Sequence, residues 1–237
     1  MGIVVVTGTD TGVGKTIVTA ALAALSRARG ERVAVVKPVQ TGVGRGEPGD
    51  LEDVRRLSGV ADLHELARFS DPLAPATAAR RAGVPAPSID EFARAIGALT
   101  DRHLVLVEGA GGLLVQFDAG GGTVADLAKR LGAPVLVVAR AGLGTLNVSA
   151  LTCQALQTRG VECLGVVIGA WPGEPDLAAV CNVADLPSYT GRPLLGRMPD
   201  GAGRLTGQAF LAAARAGLGP ELGGEWIKVR PRSEAYA

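Results

Sequence analysis

A short apolar run, Ile3-Val4-Val5-Val6, breaks at Gly8-Thr9-Asp10-Thr11-Gly12-Val13-Gly14-Lys15-Thr16 and passes straight into a helix-forming stretch over Thr16–Arg29. This passage from strand through glycine loop to helix constrains the fold more than any other feature of the chain. Glycines let successive backbone N–H groups turn inward around phosphate oxygens, and the helix start adds partial positive charge. Lys15 is placed to reach the outer phosphates and Thr16 to offer a hydroxyl to Mg²⁺. The loop is one residue longer than the commonest spacing, since five residues separate Gly8 from Gly14. The expected phosphate cradle is therefore Gly12, Val13, Gly14, Lys15 and Thr16, with Ile17 behind it. A dinucleotide fingerprint is absent, and such a site would have no use for the lysine.

The rest of the chain fits that start. Further β-branched runs at Arg32–Lys37, Leu104–Glu108, Val135–Ala139, Gly165–Ile168 and Pro193–Leu195 are apolar throughout, as strands covered on both faces must be. Helical stretches are predicted between them at Asp50–Leu57, Ile89–Leu99, Val124–Leu131 and Leu146–Arg159. The alternation implies an α/β, doubly wound, mostly parallel sheet of about six or seven strands with right-handed crossovers. A share of 47% hydrophobic residues is enough to cover such a sheet. The expected organisation is a single domain over residues 1–217 and a weakly packed tail over 218–237, with Gly42–Gly49 as a mobile loop.

Composition removes several classes of function. The net charge of +1 lacks the basic excess of a nucleic-acid binder. Aromatic residues, at 3%, are too few for a stacking platform. The apolar run at residues 3–6 is too short for a signal segment or a membrane span, so a soluble, cytosolic protein is expected. Cys153, Cys163 and Cys181 form neither a disulfide framework nor a zinc motif and read as reduced thiols.

Four side chains outside the loop are candidates to carry chemistry. The second strand ends in Lys37-Pro38-Val39-Gln40-Thr41-Gly42, on the same rim as the phosphate loop, so Lys37 and Thr41 are candidates to face an anionic intermediate. Lys37 could otherwise snorkel into water. Asp50 begins a helix and can serve as a cap or as a ligand for Mg²⁺. Glu108 closes the apolar run Leu104–Val107 and supplies the second hard-oxygen donor, and the Gly109-Ala110-Gly111-Gly112 stretch beyond it allows backbone to approach a ligand. His64 and His103 fall on no motif, and no nucleophile–base pair is visible.

Taken in order, Gly8–Asp10 through Thr16, Lys37–Gly42, Phe69 to Pro75, Glu108–Gly112, Asp126-Leu127-Ala128 and Leu143-Gly144-Thr145-Leu146-Asn147 resemble dethiobiotin synthase, a P-loop NTPase-like family. The resemblance runs from residue 1 to about residue 215. It implies a cytoplasmic homodimer that uses ATP, Mg²⁺ and CO₂ to close the ureido ring of dethiobiotin on 7,8-diaminononanoate, in biotin biosynthesis. Lys15 and Lys37 would then be catalytic, and Thr16, Asp50 and Glu108 would surround the metal. The nucleotide would lie against residues 12–17, Asp50, Glu108, Gly109, Ala110, Gly111, Gly169, Ala170, Met198, Pro199 and Asp200. The diamine would meet Thr11, Lys37, Thr41, Gly144, Thr145, Leu146 and Asn147, the last four across a subunit interface.

Two positions depart from the family. Gly169-Ala170-Trp171-Pro172 stands where many members carry a base-reading asparagine, which leaves the base preference open. Ala76 stands where histidine often follows the proline-rich turn Asp71–Pro75. A partition-type or regulatory ATPase is the alternative reading, and Asp10, where those proteins carry a second lysine, opposes it.

Overall fold

The computed structural model describes residues 2–99 and 101–227. In chain order its elements are β1 (Gly2–Gly8), α1 (Lys15–Ala28), β2 (Val33–Lys37), β3 (Gln40–Thr41), α2 (Asp50–Ser58), β4 (Leu63–Glu65), β5 (Arg68–Phe69), α3 (Pro75–Ala82), α4 (Ile89–Gly97), β6 (Leu104–Gly112), α5 (Val124–Leu131), β7 (Val135–Ala139), α6 (Thr145–Thr158), β8 (Cys163–Trp171), α7 (Leu177–Thr190), β9 (Leu194–Pro199) and α8 (Gly207–Gly217). Seven strands pair in the order β4-β2-β6-β1-β7-β8-β9, all parallel, and β3 pairs with β5 in a separate parallel ladder.

The uninterrupted apolar runs are explained by burial on both faces. Val5, Val105 and Val137 point into a core closed by α3 to α7. Their neighbours Val6, Leu106, Leu136 and Val138 point the other way, into a core closed by α1, α2 and α8. Because side chains alternate along a strand, neither face can tolerate a polar interruption. Three helix starts, those of α4, α5 and α7, are capped by side chains. Ser88 and Glu91 form a reciprocal cap on α4, Thr123 and Asp126 do the same on α5, and Asp176 accepts from Ala179 N on α7.

Several elements exceed the sequence expectation. Leu63-His64-Glu65 adds an edge strand beside β2, and α3, α7 and α8 fill stretches for which no helix was expected. The first part of the expected tail is tied down. Leu218 is fully buried and bridges Gly196, Gly219 N donates to Leu195 O at 2.8 Å, and Trp226 N donates to Leu218 O at 2.8 Å. The remainder of that stretch, 228–237, lies outside the described residues. The Gly42–Gly49 loop is likewise tethered, because Arg68 Nη1 donates to the carbonyls of Gly44 and Glu47 at 2.9 and 2.7 Å.

Both histidines serve local structure: His64 Nε2 lies 2.7 Å from Asp62, and His103 Nδ1 accepts from Arg32 N at 2.9 Å. The cysteines are unpaired, with Cys153 and Cys163 buried. Among the described residues no helix is long and apolar enough to cross a membrane.

Candidate active site

The direction of crossover reverses around β1, and on such sheets the crevice beyond the strands' carboxyl ends is where ligands bind. A cavity of about 740 Å³ opens there, lined by the phosphate loop, the ends of β2 and β6, Asp50 and the turn Pro72–Pro75. Its lining includes the apolar residues Val39, Pro72, Leu73, Ala110 and Val115 and the charged residues Lys15, Lys37, Asp50 and Glu108.

Sheet register brings those charges together. Val36 of β2 pairs with Val107 of β6, so the next residues, Lys37 at the end of β2 and Glu108 within β6, stand side by side on neighbouring strands. Lys37 Nζ lies 2.8 Å from Glu108 Oε1 and 2.5 Å from Asp50 Oδ2, and it also donates to Gly109 O at 3.3 Å. Glu108 is fully buried, and its Oε1 accepts from Thr16 Oγ1 at 2.9 Å while its Oε2 has no hydrogen-bond partner. Lys15 Nζ donates back to Asp10 O at 2.9 Å, inside its own loop.

The protonation states follow from this packing. Burial disfavours the Lys37 ammonium, but the carboxylates of Glu108 and Asp50 outweigh that and hold its pKa above the ordinary lysine value. Burial likewise opposes the Asp50 carboxylate, and the Lys37 charge overrides it to keep the pKa low. Lys15 is pushed down, first by burial and then by repulsion from Lys37.

Asp50 is fixed by a residue whose role sequence reading missed. The first residue before α2 is Gly49, which offers no capping side chain. Gln40, buried on β3, takes that role: its Oε1 accepts from Asp50 N at 3.0 Å, and its amide donates to Thr41 O at 3.1 Å. A Cβ on Gly49 would come within 2.9 Å of Gln40 Oε1, so glycine is needed for this contact.

Thr11, Gly12, Gly14, Lys15, Thr16, Ile17, Lys37, Thr41, Asp50, Glu108, Ala110 and Gly111 all line the cavity, and Gly109 adjoins it through its carbonyl. The Lys37 ammonium is paired with the Glu108 and Asp50 carboxylates, a contact that the sequence does not disclose. Val13 is 2% exposed and packs into the core.

Gly169 backs the loop from β8, at a backbone approach so close that a Cβ on Gly14 would meet Gly169 O at 2.6 Å. Ala170, Pro199 and Asp200 are exposed on the same rim, where Asp200 N donates to Trp171 O at 2.7 Å. Met198 has a fully buried side chain in the core beneath α8, so that side chain is not available to a ligand. Gly144, Thr145, Leu146 and Asn147 do not line the cavity of their own chain. Their turn reaches the phosphate loop through Arg140, which sequence reading also missed and which contacts Asp10 Oδ2 and Thr11 O, both at 3.1 Å.

The donor set suits a small hard cation. Thr16 Oγ1, the Asp50 carboxylate and the orphaned Glu108 Oε2 are all oxygens, the hard donors such an ion takes. Among the described residues no group of three or more His, Cys, Asp or Glu assembles, so these residues form no all-protein cage. That matches an ion shared with phosphate oxygens and water.

Fold and site together define a phosphate-loop nucleotide-binding α/β protein. Solved structures of that class share the fold: the ParA family ATPase of Chlorobium tepidum is 12% identical with a TM-score of 0.57, over 89% of this chain and 90% of the other. The septum site-determining protein MinD of Pyrococcus horikoshii, complexed with Mg-ADP, is 19% identical with a TM-score of 0.55, over 90% and 86%. A family model described as an AAA domain matches residues 3–203. The ATP-dependent dethiobiotin synthetase BioD of Frankia casuarinae is 63% identical over 94% of each chain. That of Saccharopolyspora erythraea is 59% identical over 96% of this chain and all of its own length. The chain belongs to the ATP-dependent dethiobiotin synthetase family.

Proposed function

We propose that this chain closes the ureido ring of dethiobiotin on 7,8-diaminononanoate, using CO₂ and ATP. The observation that carries the reading is the convergence of Lys15, Thr16, Lys37, Asp50 and Glu108 on one cavity, in a chain 63% identical to a dethiobiotin synthetase. One substrate amine adds CO₂ and loses a proton, giving a carbamate. A carbamate oxygen then attacks the γ-phosphorus of ATP and ADP leaves. The neighbouring amine attacks the carbonyl carbon of the mixed anhydride, and phosphate departs as the ring closes.

No covalent bond to the protein is needed, so the protein's contribution is placement and charge. Lys15, freed from Asp10 O, reaches the transferring phosphoryl group, and the loop N–H groups hold the phosphates. Lys37 keeps the Asp50 carboxylate ionised, pairs with Glu108 and adds positive charge beside the carbamate. The apolar residues Val39, Pro72 and Leu73 receive the methylene chain. Thr16, Asp50 and Glu108 are the residues that would hold Mg²⁺, which when bound neutralises charge on the phosphate oxygens.

Phosphate release measured with diamine or bicarbonate omitted in turn tests the reaction. Turnover should need both, and diamine-independent hydrolysis at the full rate would refute it.

The active unit we propose is a homodimer in which the Gly144–Asn147 helix start serves the partner's substrate carboxylate. Support comes from the apolar residues left outside at this point: Leu143 is 93% exposed, Leu151 56% and Val148 40%. A charge there should be costly, so Leu151→Glu is expected to shift the protein to monomers in sedimentation experiments and to raise the KM for diamine. A wild-type chain that sediments as a monomer with full activity would overturn the shared pocket.

A further inference from the structure

Between β7 and α6 the chain makes a five-residue turn, Arg140-Ala141-Gly142-Leu143-Gly144. The turn has two attachments. At its start Arg140 holds the phosphate loop, as described above. In its middle it is held from α7, where Asn182 Nδ2 donates to Ala141 O at 2.7 Å and to Gly142 O at 3.1 Å. Gly142 O also accepts from Thr145 N at 3.3 Å, the bond that closes the first turn into α6. Asn182 is 5% exposed and sits on the buried stripe Ala179–Asn182–Leu186, where an apolar residue would be the ordinary choice.

An amide there costs desolvation unless its hydrogens are used, and both are used on consecutive carbonyls of one turn. Buried loop carbonyls need such donors, and two of them converging on one nitrogen fix the path of the backbone between them. What that path delivers is Gly144, at φ 91° and with no side-chain cap, followed by Thr145, Leu146 and Asn147. Leu143, just before it, is held out into solvent.

We propose that Asn182 is a positioning residue for the diamino-acid substrate: its amide clamps the Ala141 and Gly142 carbonyls and thereby sets where the α6 start presents Gly144–Asn147. The inference rests on the reading of that segment as a substrate contact. It predicts an effect much larger on the diamine than on ATP, because the clamp acts on the Ala141 and Gly142 carbonyls next to the α6 start, whereas the turn meets the phosphate loop through the exposed Arg140 side chain. A side chain that only filled the core would lower stability and spare the balance between the two Michaelis constants.

The experiment measures KM for diamine, KM for ATP, kcat and melting temperature for Asn182→Ala, Asn147→Ala and the double variant. Displacing a docking group commonly costs about ten- to a hundredfold. Asn182→Ala should therefore raise the diamine KM by about tenfold and leave the ATP KM within about twofold. The double variant should be little worse than the poorer single one, because residues acting through one element do not add. An unchanged diamine KM in Asn182→Ala, with a raised one in Asn147→Ala, would overturn the positioning role and leave the functional reading intact. An unchanged diamine KM in Asn147→Ala would instead remove the segment from the substrate site, and the inference with it. Should Asn182→Ala not fold, Asn182→Ser is read in its place, and failure of both to fold would make Asn182 a core residue only.

Discussion

Lys37→Met is expected to lose ring closure altogether and to melt on the order of 10 °C below the wild type. Lys37 is 3% exposed and stands between two carboxylates, one of them, Glu108, fully buried. Removing only the cation leaves the fully buried Glu108 carboxyl without its ammonium partner, and breaking a buried pair from one side typically costs about 3–5 kcal/mol. Asp50 is a lesser part of this, because its side chain is 37% exposed and water can take over the lost contact. The assignment of the cost can be checked with a second change. Lys37→Met combined with Glu108→Gln removes the unpaired carboxyl as well, so thermal unfolding should show much of the melting temperature recovered while turnover stays absent. A Lys37→Met protein that melts like the wild type would mean that the two carboxylates do not depend on this ammonium.

The sequence disclosed most of this arrangement because its informative residues sit at the ends of apolar runs. A strand buried on both faces has to be apolar until it nears the rim, so Lys37 announces the end of β2 and Glu108 the end of the apolar run of β6, and both announce a site. Strand register then makes them neighbours, and that step is not legible in one dimension. For the same reason the pairing of Lys37 with the two acids appears only in the fold.

Elements without a strong periodic signal were missed for physical reasons. Leu63-His64-Glu65 is half-buried at an edge and too short to show a pattern. The stretch Leu177–Thr190 carries Pro187 inside the helix and spreads apolar residues around it. Positioning by side chains from elsewhere, Gln40 for Asp50 and Arg140 for the phosphate loop, depends on tertiary contacts of 10 and about 130 residues' separation and leaves no local mark.

Comparison with MinD and ParA-type structures at 12–19% identity establishes the sheet and its loop, not the chemistry. What distinguishes this chain is carried by side chains on a shared frame. The loop itself, however, depends on the frame at one place that the motif does not mention. Gly169, the seventh residue of β8, lies against the back of the phosphate loop. A Cβ at this position would sit 2.0 Å from Val13 O, 2.6 Å from Val138 Cγ1 and 3.0 Å from Gly14 Cα. The nearest and third of these are backbone atoms of the loop, which cannot rotate aside as a side-chain tip would.

Gly169→Ala must therefore move the loop or the strand, and β8 is held on both sides by β7 and β9. The loop gives way. Its N–H groups then no longer converge on the phosphate positions, and a displacement of about 1 Å at a positioning element costs on the order of a hundredfold. Overpacking adds about 1–3 kcal/mol of destabilisation. Gly169→Ala is expected to lower kcat/KM for ATP at least to that extent while circular dichroism still reports the folded sheet. Gly173→Ala, where an added Cβ meets nothing within 4 Å, should behave as wild type. Normal ATP kinetics in Gly169→Ala would show that β8 does not support the loop, and the close approach of Gly14 and Gly169 would then have no part in phosphate binding.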